Sequence, residues 1–465
     1  MQQCALHFIA VEQALNSGQK WISDVSTIGG GVAATAWQTF KVTTPGLIAD
    51  LSARGLIHDS TDPVALESRL NDRPIGIYVG FDPTADSLHV GHLLGQITLR
   101  RFQLAGHRPF PLAGGATGMV GDPSGKSEER NLLDRETLAS NVEKIQQQLS
   151  RLLDFSPGAS AATLVNNADW TAGISALDFL RDVGKHITVN QMMAKESVKN
   201  RLNSENGLSY TEFSYMLLQA NDFRHLCATH DVELQMGGSD QWGNITAGID
   251  LIRKSLSRSA FGATWPLVTR SDGQKFGKTA DGAVWLDAQR TSPYQFRQFW
   301  MQLADTDATK YLPQFSLQSL DAINALIADH DAAPERRIAQ RSLATELTTL
   351  VHGEDATTHA AAAADILFGA DPMGASREAL QTVALEVPRT TISAADLDDV
   401  FGLLARSGLA TSTSDARRSI EQKGVKVNGA TLEAGQSLAS KGILHEQWVL
   451  VRKGKTNYHL FEIAR

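Results

Sequence analysis

The stretch that most clearly indicates the fold reads Ile75-Gly-Ile-Tyr-Val-Gly-Phe81, followed by Asp82-Pro-Thr-Ala-Asp86. Its first part is short, apolar and β-branched, which is typical of a buried parallel strand, and its second part ends that strand. Apolar residues then recur at roughly helical spacing as far as Leu104, and the segment from His107 to Leu112 is another candidate strand. The sequence thus predicts a strand–helix–strand unit.

The same alternation extends on both sides of this unit. We predict one amphipathic helix from Leu47 to Pro74, a helix around residues 174–183, and further strands at residues 164–166, 232–236 and 265–269. Strands separated by helices favour an α/β fold with a Rossmann-like, doubly wound parallel sheet. In such a sheet the ligand crevice lies at the carboxyl ends of the strands.

The C-terminal part of the chain follows other patterns. Ser292-Pro293 combines a helix N-cap with Pro at the first helical position, and the pattern stays almost wholly helical to about Glu386. Two short helices are predicted at residues 397–404 and 414–422. The Asn428-Gly429 pair that follows is typical of a tight hairpin turn.

These patterns divide the chain into domains. We predict an N-terminal extension of unknown role (residues 1–43), an α/β domain (44–290), an α-helical domain (291–387), a linker (388–394) and a small α+β domain (395–465).

Charge is distributed unevenly along the chain. The 465 residues carry a net charge of −8, with 42% hydrophobic and 20% charged residues, which is the composition of a globular protein. From Thr411 to Arg465 nine Lys and Arg stand against five Asp and Glu, so this tail carries +4 and the remainder −12. A basic module on an acidic body suits a protein of which one end contacts a polyanion.

Membrane and secreted classes fit the sequence poorly. The longest uncharged stretch near the N-terminus, Val25 to Phe40, is shorter and more polar than the ~20 residues of a membrane span. The first residues lack the order of a secretory signal, and residues 1–43 contain no Arg, unlike a transit peptide. Cys4 and Cys227 alone cannot form a disulfide framework. We therefore expect a cytoplasmic protein that does not associate with a membrane.

Two histidines follow the first predicted strand, at the end of the string that continues as Ser-Leu-His89-Val-Gly-His92. Because they are three residues apart, they share one face of a helix, beside free backbone N–H groups and the positive end of the helix dipole. Gly91 allows close approach, so the arrangement suits a phosphate. The pair could instead ligate a metal, but no third ligand stands at a familiar spacing, and no tightly bound metal is expected.

A second cluster reads Lys275-Phe-Gly-Lys278-Thr279. Two lysines and a hydroxyl on a Gly-containing loop supply mobile positive charge that follows a pyrophosphate as negative charge develops. Alone, such a pentapeptide is also typical of a solvated turn.

A third string, Gly121-Asp-Pro-Ser-Gly125-Lys126-Ser127, looks like the P-loop of a nucleotide triphosphatase. That loop needs four residues between its glycines, and this string has three. A P-loop protein would also leave the histidine pair and the Lys275 loop without a role.

Paired across the chain, the histidine and lysine motifs resemble the His-x-Gly-His and Lys-x-x-Lys-Ser/Thr signatures of class I aminoacyl-tRNA synthetases. Longer strings are similar to the bacterial tyrosyl-tRNA synthetase family in particular, at residues 78–92, 114–118, 121–125, 211–219 and 237–244. The resemblance covers about Pro45 to Arg465. The tryptophanyl enzymes would have no reason to carry both the Tyr78/Asp222 pair and a tail of the S4 type.

The resemblance implies an ATP-dependent reaction in two steps. The tyrosine carboxylate attacks the α-phosphorus of ATP to give tyrosyl-adenylate and pyrophosphate, and the tyrosyl group then passes to tRNA(Tyr) with release of AMP. The enzyme supplies no nucleophile, so its site acts by positioning the reactants and by stabilising charge on the phosphates. ATP is expected as a substrate with Mg²⁺.

The resemblance also implies the site residues. The expected catalytic residues are Thr84, His89, His92, Lys275, Lys278 and Thr279. Those expected to bind ATP are Asp82, Gly91, Lys126, Arg130, Gly238, Asp240 and Gln241. Tyrosine is expected to place its phenol between Tyr78 and Asp222 and its ammonium near Asp122, Tyr215 and Gln219.

The basic tail resembles the S4 RNA-binding domain. Its residues expected to contact tRNA are Arg417, Arg418, Lys423 and Lys426. The family is a homodimer, with an insertion around Phe179 to Arg201 supplying the contact. An alternative is a non-catalytic S4-type RNA-binding paralogue of the same fold, but that alternative predicts loss of the histidines or lysines, and all are present.

Overall fold

A computed structural model describes residues 46–123, 133–202, 207–271, 276–279 and 282–464, with the backbone alone for residues 196, 197, 200, 278 and 279. The predicted extension at residues 1–43 lies outside the described part. The described residues form two compact units. One comprises the residues up to Thr269 with Pro313–Ala325, and the other comprises Arg270–Leu312 with the residues from Leu326 onward.

The first unit contains a six-stranded sheet and the helices that connect its strands. The strands are β1 (Asp59–Ser60), β2 (Gly76–Phe81), β3 (Arg108–Ala113), β4 (Val165–Asn166), β5 (Val232–Gly238) and β6 (Phe261–Trp265). The helices are α1 (Leu47–Ala53), α2 (Pro63–Asp72), α3 (Val90–Leu104), α4 (Arg135–Leu152), α5 (Ala168–Thr171), α6 (Ala176–Asp182), α7 (Val189–Ala194), α8 (Glu196–Leu202), α9 (Tyr210–His230) and α10 (Trp242–Leu256).

The strand order of this sheet is β1-β6-β5-β2-β3-β4. Strands β2 to β6 pair in parallel, which confirms the predicted doubly wound α/β fold, and β1 adds an antiparallel edge. The chain runs from β2 to one edge and returns to place β5 on the other side of β2. The topological switch point, where such sheets bind ligands, therefore lies between β2 and β5.

Two predicted elements of this unit are wrong in their bounds. The single helix from Leu47 to Pro74 is in fact α1 and α2, because Gly55 adopts a φ of 71° and the N–H of Leu56 closes the end of α1 on the carbonyl of Leu51 at 2.8 Å. The strand predicted at residues 265–269 is β6, which ends at Trp265 because Pro266 has no N–H to continue the ladder.

Helix α9 packs on the sheet and presents one polar face toward it. Phe223, Leu226 and Cys227 of α9 share a buried cluster with Tyr78 of β2 and Val232 of β5. On the same helix Tyr215, Gln219 and Asp222 are also buried, at the i, i+4 and i+7 spacing of a single helical face. The core thus holds a polar stripe of α9 beside the switch point.

The elements beyond β6 confirm the predicted helical segment. They begin with the pair β7 (Lys278–Thr279) and β8 (Gly282–Ala283), followed by α11 (Pro293–Met301), α12 (Asp305–Phe315), α13 (Leu320–Ala332), α14 (Ile338–His352), α15 (Glu354–Leu367) and α16 (Arg377–Glu386). Ser292 caps α11 as predicted, because its hydroxyl accepts the N–H of Gln295 at 3.1 Å.

The chain ends in a second, five-stranded sheet with the order β11-β10-β12-β13-β9. Its elements are β9 (Arg389–Ile392), α17 (Val400–Arg406), α18 (Thr413–Glu421), β10 (Val425–Val427), β11 (Ala430–Thr431), β12 (Trp448–Lys453) and β13 (Asn457–Ile463). Asn428 and Gly429 both have positive φ, at 47° and 84°, which confirms the predicted hairpin turn.

The segment predicted as a linker contains secondary structure. Strand β9 pairs in parallel with β13, with Leu460 opposite Arg389, so residues 389–392 belong to the sheet. Leu380 and Val383 of α16 share a buried cluster with Trp448 of β12, which ties the last long helix to this sheet. The domain boundaries themselves stay predictions.

Candidate active site

The predicted histidine pair caps the N-terminus of α3. His89 is the N-cap residue, and its Nδ1 accepts the N–H of Gly91 at 3.0 Å. The Nδ1 of His92 accepts the N–H of His89 at 3.2 Å, and the two rings lie 4.0 Å apart between centroids. Because each Nδ1 is an acceptor, the proton of each neutral ring resides on Nε2.

This geometry corrects one expectation about the turn. Free backbone N–H groups are expected beside the histidines, but those of His89 and Gly91 bond the imidazoles instead. The rings satisfy these donors because an N-terminal turn has no intrahelical acceptor for them. The functional groups of this turn are thus the imidazoles themselves.

Gly91 is required by the same contact. A Cβ at this position would lie 2.7 Å from Cε1 and 2.9 Å from Nδ1 of His89. A side chain would therefore displace the imidazole or break the cap. The close neighbour that the structure shows at Gly91 is the His89 ring, and the approach of a phosphate stays a prediction.

Asp82 follows β2 and joins it to α9. Its carboxylate accepts the hydroxyl of Tyr215 at 2.8 Å and the hydroxyl of Thr117 at 2.8 Å. Gly114 makes room for it, since a Cβ there would lie 2.2 Å from Asp82 Oδ1. Thr84 is exposed, and its N–H donates to the carbonyl of Asp82 at 2.9 Å.

Asp222 is the most deeply buried carboxylate of the site, with 1% of its surface exposed. It accepts the side-chain amide of Asn167 and the indole N–H of Trp170, each at 2.9 Å. Burial raises the pKa of Asp222 to about 7, although these two hydrogen bonds oppose the shift. The sequence analysis missed Asn167 and Trp170, which follow β4 at the carboxyl edge of the sheet, where polar residues are a signal of a site.

Two buried phenols lie in the same site, Tyr78 near Asp222 and Tyr215 against Asp82. Burial raises the pKa of Tyr78 well above its ordinary value, and the charges of Asp222 and Asp82 act in the same direction. Burial and the same Asp82 also raise the pKa of Tyr215. Both tyrosines are therefore neutral hydrogen-bonding groups at physiological pH.

Gln219, one turn along α9, carries a buried acceptor. Its Oε1 receives no hydrogen bond from the part of the chain that the structure describes. A buried amide oxygen without a donor costs free energy, so this atom is suited to receive a donor from a ligand.

The carboxyl end of β5 supplies the other side of the site. Gln241 donates through Nε2 to Asp122 Oδ2 at 2.8 Å and more weakly to Asp240 Oδ2 at 3.4 Å. Burial, with the nearby charge of Asp122, raises the pKa of Asp240. A Cβ on Gly238 would lie 2.7 Å from Asp240 Oδ1, so a side chain there would displace the Asp240 carboxylate.

Three of the cations expected to catalyse the reaction or to bind ATP have no described position. Lys126, Arg130 and Lys275 lie outside the described residues. The backbone of Lys278 and Thr279 forms β7, which pairs with β8 in the second unit. Their predicted roles stay predictions.

The residues expected to bind RNA lie on α18 and the following hairpin. Arg417, Arg418 and Lys423 are exposed, and Lys426 is half-buried in β10. The Arg417 guanidinium lies 5.2 Å from the Phe401 ring centroid.

Asp415 at the start of α18 ties this surface to β12. Its carboxylate accepts the Lys453 ammonium at 2.8 Å, and this bond lowers the pKa of Asp415 to about 2. The surface is basic, and part of its charge is compensated by such pairs.

Within the described residues, no group of three His, Cys, Asp or Glu side chains has the geometry to hold a metal ion. Across the same residues, every helix is too short or too polar to cross a membrane.

Two family models match the chain. Residues 70–369 match the family described as tRNA synthetases class I (W and Y), and residues 379–461 match the tyrosine–tRNA ligase SYY-like C-terminal domain. The second match covers the sheet that ends the chain.

Curated relatives and solved structures agree with these matches. The chain is 51% identical over 423 residues to the tyrosine–tRNA ligase of Opitutus terrae, covering 90% of this chain and 100% of that protein. It is 47% identical over 420 residues to the tyrosine–tRNA ligase of Geobacillus stearothermophilus, covering 90% and 100%. Its structure is similar to a C-terminally truncated mitochondrial tyrosyl-tRNA synthetase from Aspergillus nidulans, with a TM-score of 0.64 and 31% identity over 70% of this chain and 95% of that chain.

Proposed function

Because the chain belongs to the tyrosine–tRNA ligase family of class I tRNA synthetases, we propose that the site between β2, β5 and α9 carries out the first step of its reaction. The enzyme attaches tyrosine to tRNA at the expense of ATP. In the first step the tyrosine carboxylate attacks the α-phosphorus of ATP. The bond to the pyrophosphate breaks, and tyrosyl-adenylate forms.

The observation that carries this proposal is the buried Asp222 beside Tyr78. A substrate phenol between them donates a hydrogen bond to the carboxylate of Asp222 and accepts one from the Tyr78 hydroxyl. An amino acid without the hydroxyl leaves these buried groups unpaired, at about 1–3 kcal/mol for each. The pocket therefore selects tyrosine over phenylalanine.

The substrate ammonium has three N–H donors, and the site offers three acceptors for them. These are the carboxylate of Asp122, the unpartnered Oε1 of Gln219, and the oxygen of Tyr215, whose own proton goes to Asp82. We assign the ammonium to this group, which orients the tyrosine carboxylate away from α9.

ATP completes the site as a substrate that brings Mg²⁺ with its phosphates. Asp240 accepts from the ribose hydroxyls, and the glycine at position 238 lets the nucleotide approach the end of β5. The Nε2–H groups of His89 and His92 donate to phosphate oxygens. Because these donors are held in place before the reaction, they stabilise developing charge without reorganisation.

The lysine loop neutralises the leaving pyrophosphate in this proposal. Lys275, Lys278 and Thr279 are assigned to it together with Lys126 and Arg130, on the basis of their motifs. Lys278→Ala is expected to slow adenylate formation in pre-steady-state kinetics while leaving tyrosine affinity nearly unchanged. A variant whose main defect is weak tyrosine binding would remove Lys278 from this role.

The terminal sheet binds the tRNA. Exposed Arg417, Arg418 and Lys423, with Lys426 beside them, provide cations for the phosphates of tRNA(Tyr), which an S4-like module recognises by shape. The reaction takes place in the cytoplasm in this proposal.

We also propose that the enzyme is a homodimer. The segment from α6 to α7 exposes apolar side chains, with Leu177 79% exposed, Leu180 50% and Val189 63%. Exposed apolar side chains on one segment are compatible with a contact between subunits. Sedimentation at micromolar concentration is expected to give twice the 50.3 kDa monomer mass. A monomer that charges tRNA would contradict this assembly.

The direct test is ATP–pyrophosphate exchange with each amino acid in turn. Tyrosine alone is expected to support exchange, and added tRNA(Tyr) is expected to become charged. Exchange with tryptophan instead would disprove the pocket assignment. RNA binding without exchange would support the non-catalytic alternative.

A further inference from the structure

Lys195 reaches the site through a chain of three hydrogen bonds. Its Nζ donates to Asn244 Oδ1 at 2.6 Å. Asn244 Nδ2 donates to Gln241 Oε1 at 3.0 Å, and Gln241 Nε2 donates to Asp122 Oδ2 at 2.8 Å. In all three hydrogen bonds the donor lies on the Lys195 side and the acceptor on the Asp122 side.

The lysine imposes this direction from one end because an ammonium has donors and no acceptor. It faces the oxygen of the Asn244 amide, so the NH₂ of that amide faces Gln241. The oxygen of the Gln241 amide must then face Asn244, and its NH₂ faces Asp122. The ammonium at one end has donors alone and the carboxylate at the other has acceptors alone, so together they fix the orientation of two amides that have no intrinsic preference.

The reverse orientation would be unfavourable at the last position. It would bring Gln241 Oε1 against the Asp122 carboxylate, and two acceptors at hydrogen-bonding distance repel each other. Asn244 has 0% of its surface exposed, so its amide cannot turn to bulk solvent for compensation.

The charge of Lys195 acts on the same group. Asp122 and Asp240 raise the pKa of Lys195, although its burial outweighs them and lowers the pKa overall. In return the ammonium lowers the pKa of Asp240, which burial and the charge of Asp122 raise. A cation here offsets the repulsion between the two carboxylates.

The fold accommodates the lysine stem closely. A Cβ on Gly243 would lie 3.0 Å from Cγ and 3.3 Å from Cε of Lys195, so the start of α10 is shaped around this side chain. Lys195 itself follows α7 directly, and the sequence analysis gave it no role.

We propose that Lys195 is a positioning residue for adenylate formation, which orients Gln241 and Asp122 through Asn244. The inference rests on the proposed function, in which Asp122 accepts the substrate ammonium, and on the expectation that Gln241 contacts ATP. Lys195 touches neither reactant in this proposal.

The first variants are Lys195→Met and Lys195→Arg in the full-length protein. Met keeps the apolar stem and removes the donor, so the rate constant of adenylate formation is expected to fall roughly 10- to 100-fold, as on loss of outer-shell partners at metal sites. Arg is also a donor without an acceptor and is expected to restore most of the rate. A packing role alone would favour Met over Arg.

A second variant, Asn244→Asp, reverses the orientation of the Gln241 amide without removing the lysine. The new carboxylate keeps its partner Lys195 and can only accept, so Gln241 must donate to it and turn Oε1 toward Asp122. Adenylate formation is expected to slow about as much as in Lys195→Met. The control is Lys254→Met, which removes a lysine paired with Asp250 at 2.6 Å in the same unit, and it is expected to keep the wild-type rate.

The outcomes separate this inference from the proposed function. A wild-type protein without tyrosine-dependent exchange disproves the function itself. An active wild type with a full-rate Lys195→Met disproves the positioning role, and so does a Lys195→Met that activates tyrosine normally but transfers it slowly to tRNA. Should Lys195→Met fail to fold in thermal unfolding, Asn244→Asp decides, because a full rate there overturns the proposal.

Discussion

Two aspartates in different regions of the chain, Asp222 and Asp415, show how differently these regions stabilise charge. Burial raises the pKa of Asp222 in the candidate site to about 7, although Asn167 and Trp170 donate to it. On the exposed face of α18, the Lys453 ammonium lowers the pKa of Asp415 to about 2. Desolvation dominates at Asp222, and ion pairing dominates at Asp415 on the basic surface of α18.

The difference explains how each region is built. A charged side chain in the buried site has a high desolvation cost, so it is held by specific hydrogen-bond donors. Replacing that side chain is therefore expected to affect one particular group of the substrate. On the surface a charge costs little and is screened by salt, so many cations share the binding of a polyanion. We therefore expect large, substrate-specific effects from the pocket and small, salt-dependent effects from the tail.

The largest expected effect is on the pH dependence of stability. In the unfolded chain Asp222 ionises near its ordinary value of 3.8, whereas in the folded protein it keeps its proton to about pH 7. Between pH 3.8 and about 7 the folded state binds more protons than the unfolded state. A rise in pH through this range therefore lowers the free energy of unfolding of the wild type, by on the order of 2–4 kcal/mol in total. Asp222→Asn removes this contribution to the pH dependence, because the amide does not titrate.

The measurement is chemical denaturation of both proteins from pH 4 to pH 8. Relative to wild type, Asp222→Asn is expected to gain stability as pH rises to about 7 and then to show no further change. A constant difference across the range would mean that Asp222 is not the desolvated group described here.

The next effect concerns the choice of amino acid. Asp222→Ala removes the acceptor of the substrate phenol, so kcat/KM for tyrosine in exchange is expected to fall by roughly 10- to 100-fold, and that for phenylalanine much less. Glu143→Ala on the exposed face of α4 is the control and is expected to change neither. Equal losses for both amino acids would disprove the pocket assignment.

A smaller effect is expected at the histidine turn. Gly91→Ala places a Cβ 2.7 Å from His89 Cε1 and displaces the ring. The rate of adenylate formation is expected to fall by roughly 10- to 100-fold, because the imidazoles that we propose as phosphate donors lose their position. Gly173→Ala is the control, since nothing lies within 4 Å of a Cβ there. A full rate in Gly91→Ala would separate the cap from catalysis.

The smallest effect per residue is expected on the tail. Arg417→Ala and Arg418→Ala together are expected to weaken tRNA binding and to lower the slope of log affinity against log salt by roughly one to two units. Tyrosine affinity is expected to stay unchanged. Arg336→Ala, outside the S4-like segment, is the control. An unchanged salt slope in the double variant would remove both arginines from the RNA contact.

Point variants test the tail better than truncation does. Removal of the chain after Ile392 would take β13 away from β9 and uncover Leu380 and Val383 of α16. Any loss of activity would then mix unfolding with lost RNA binding.

Local patterns predicted the elements that depend on neighbouring residues. The strand β2, the helix α3, the Ser292 cap and the Asn428-Gly429 turn follow from apolar periodicity, capping chemistry and backbone preference. The predictions failed where one residue overrides the pattern, at Gly55 within the first helix and at Pro266 after β6.

The sequence by itself determined the α/β class, the family and the residue types of the site, because motifs of fixed spacing stand at the ends of predicted strands. Only the tertiary structure decided which groups meet. Asn167, Trp170 and Lys195 reach the site from segments far along the chain, through contacts that no local pattern encodes. The pKa of Asp222 was decided in the same way, since burial is a property of the packed core rather than of the residue.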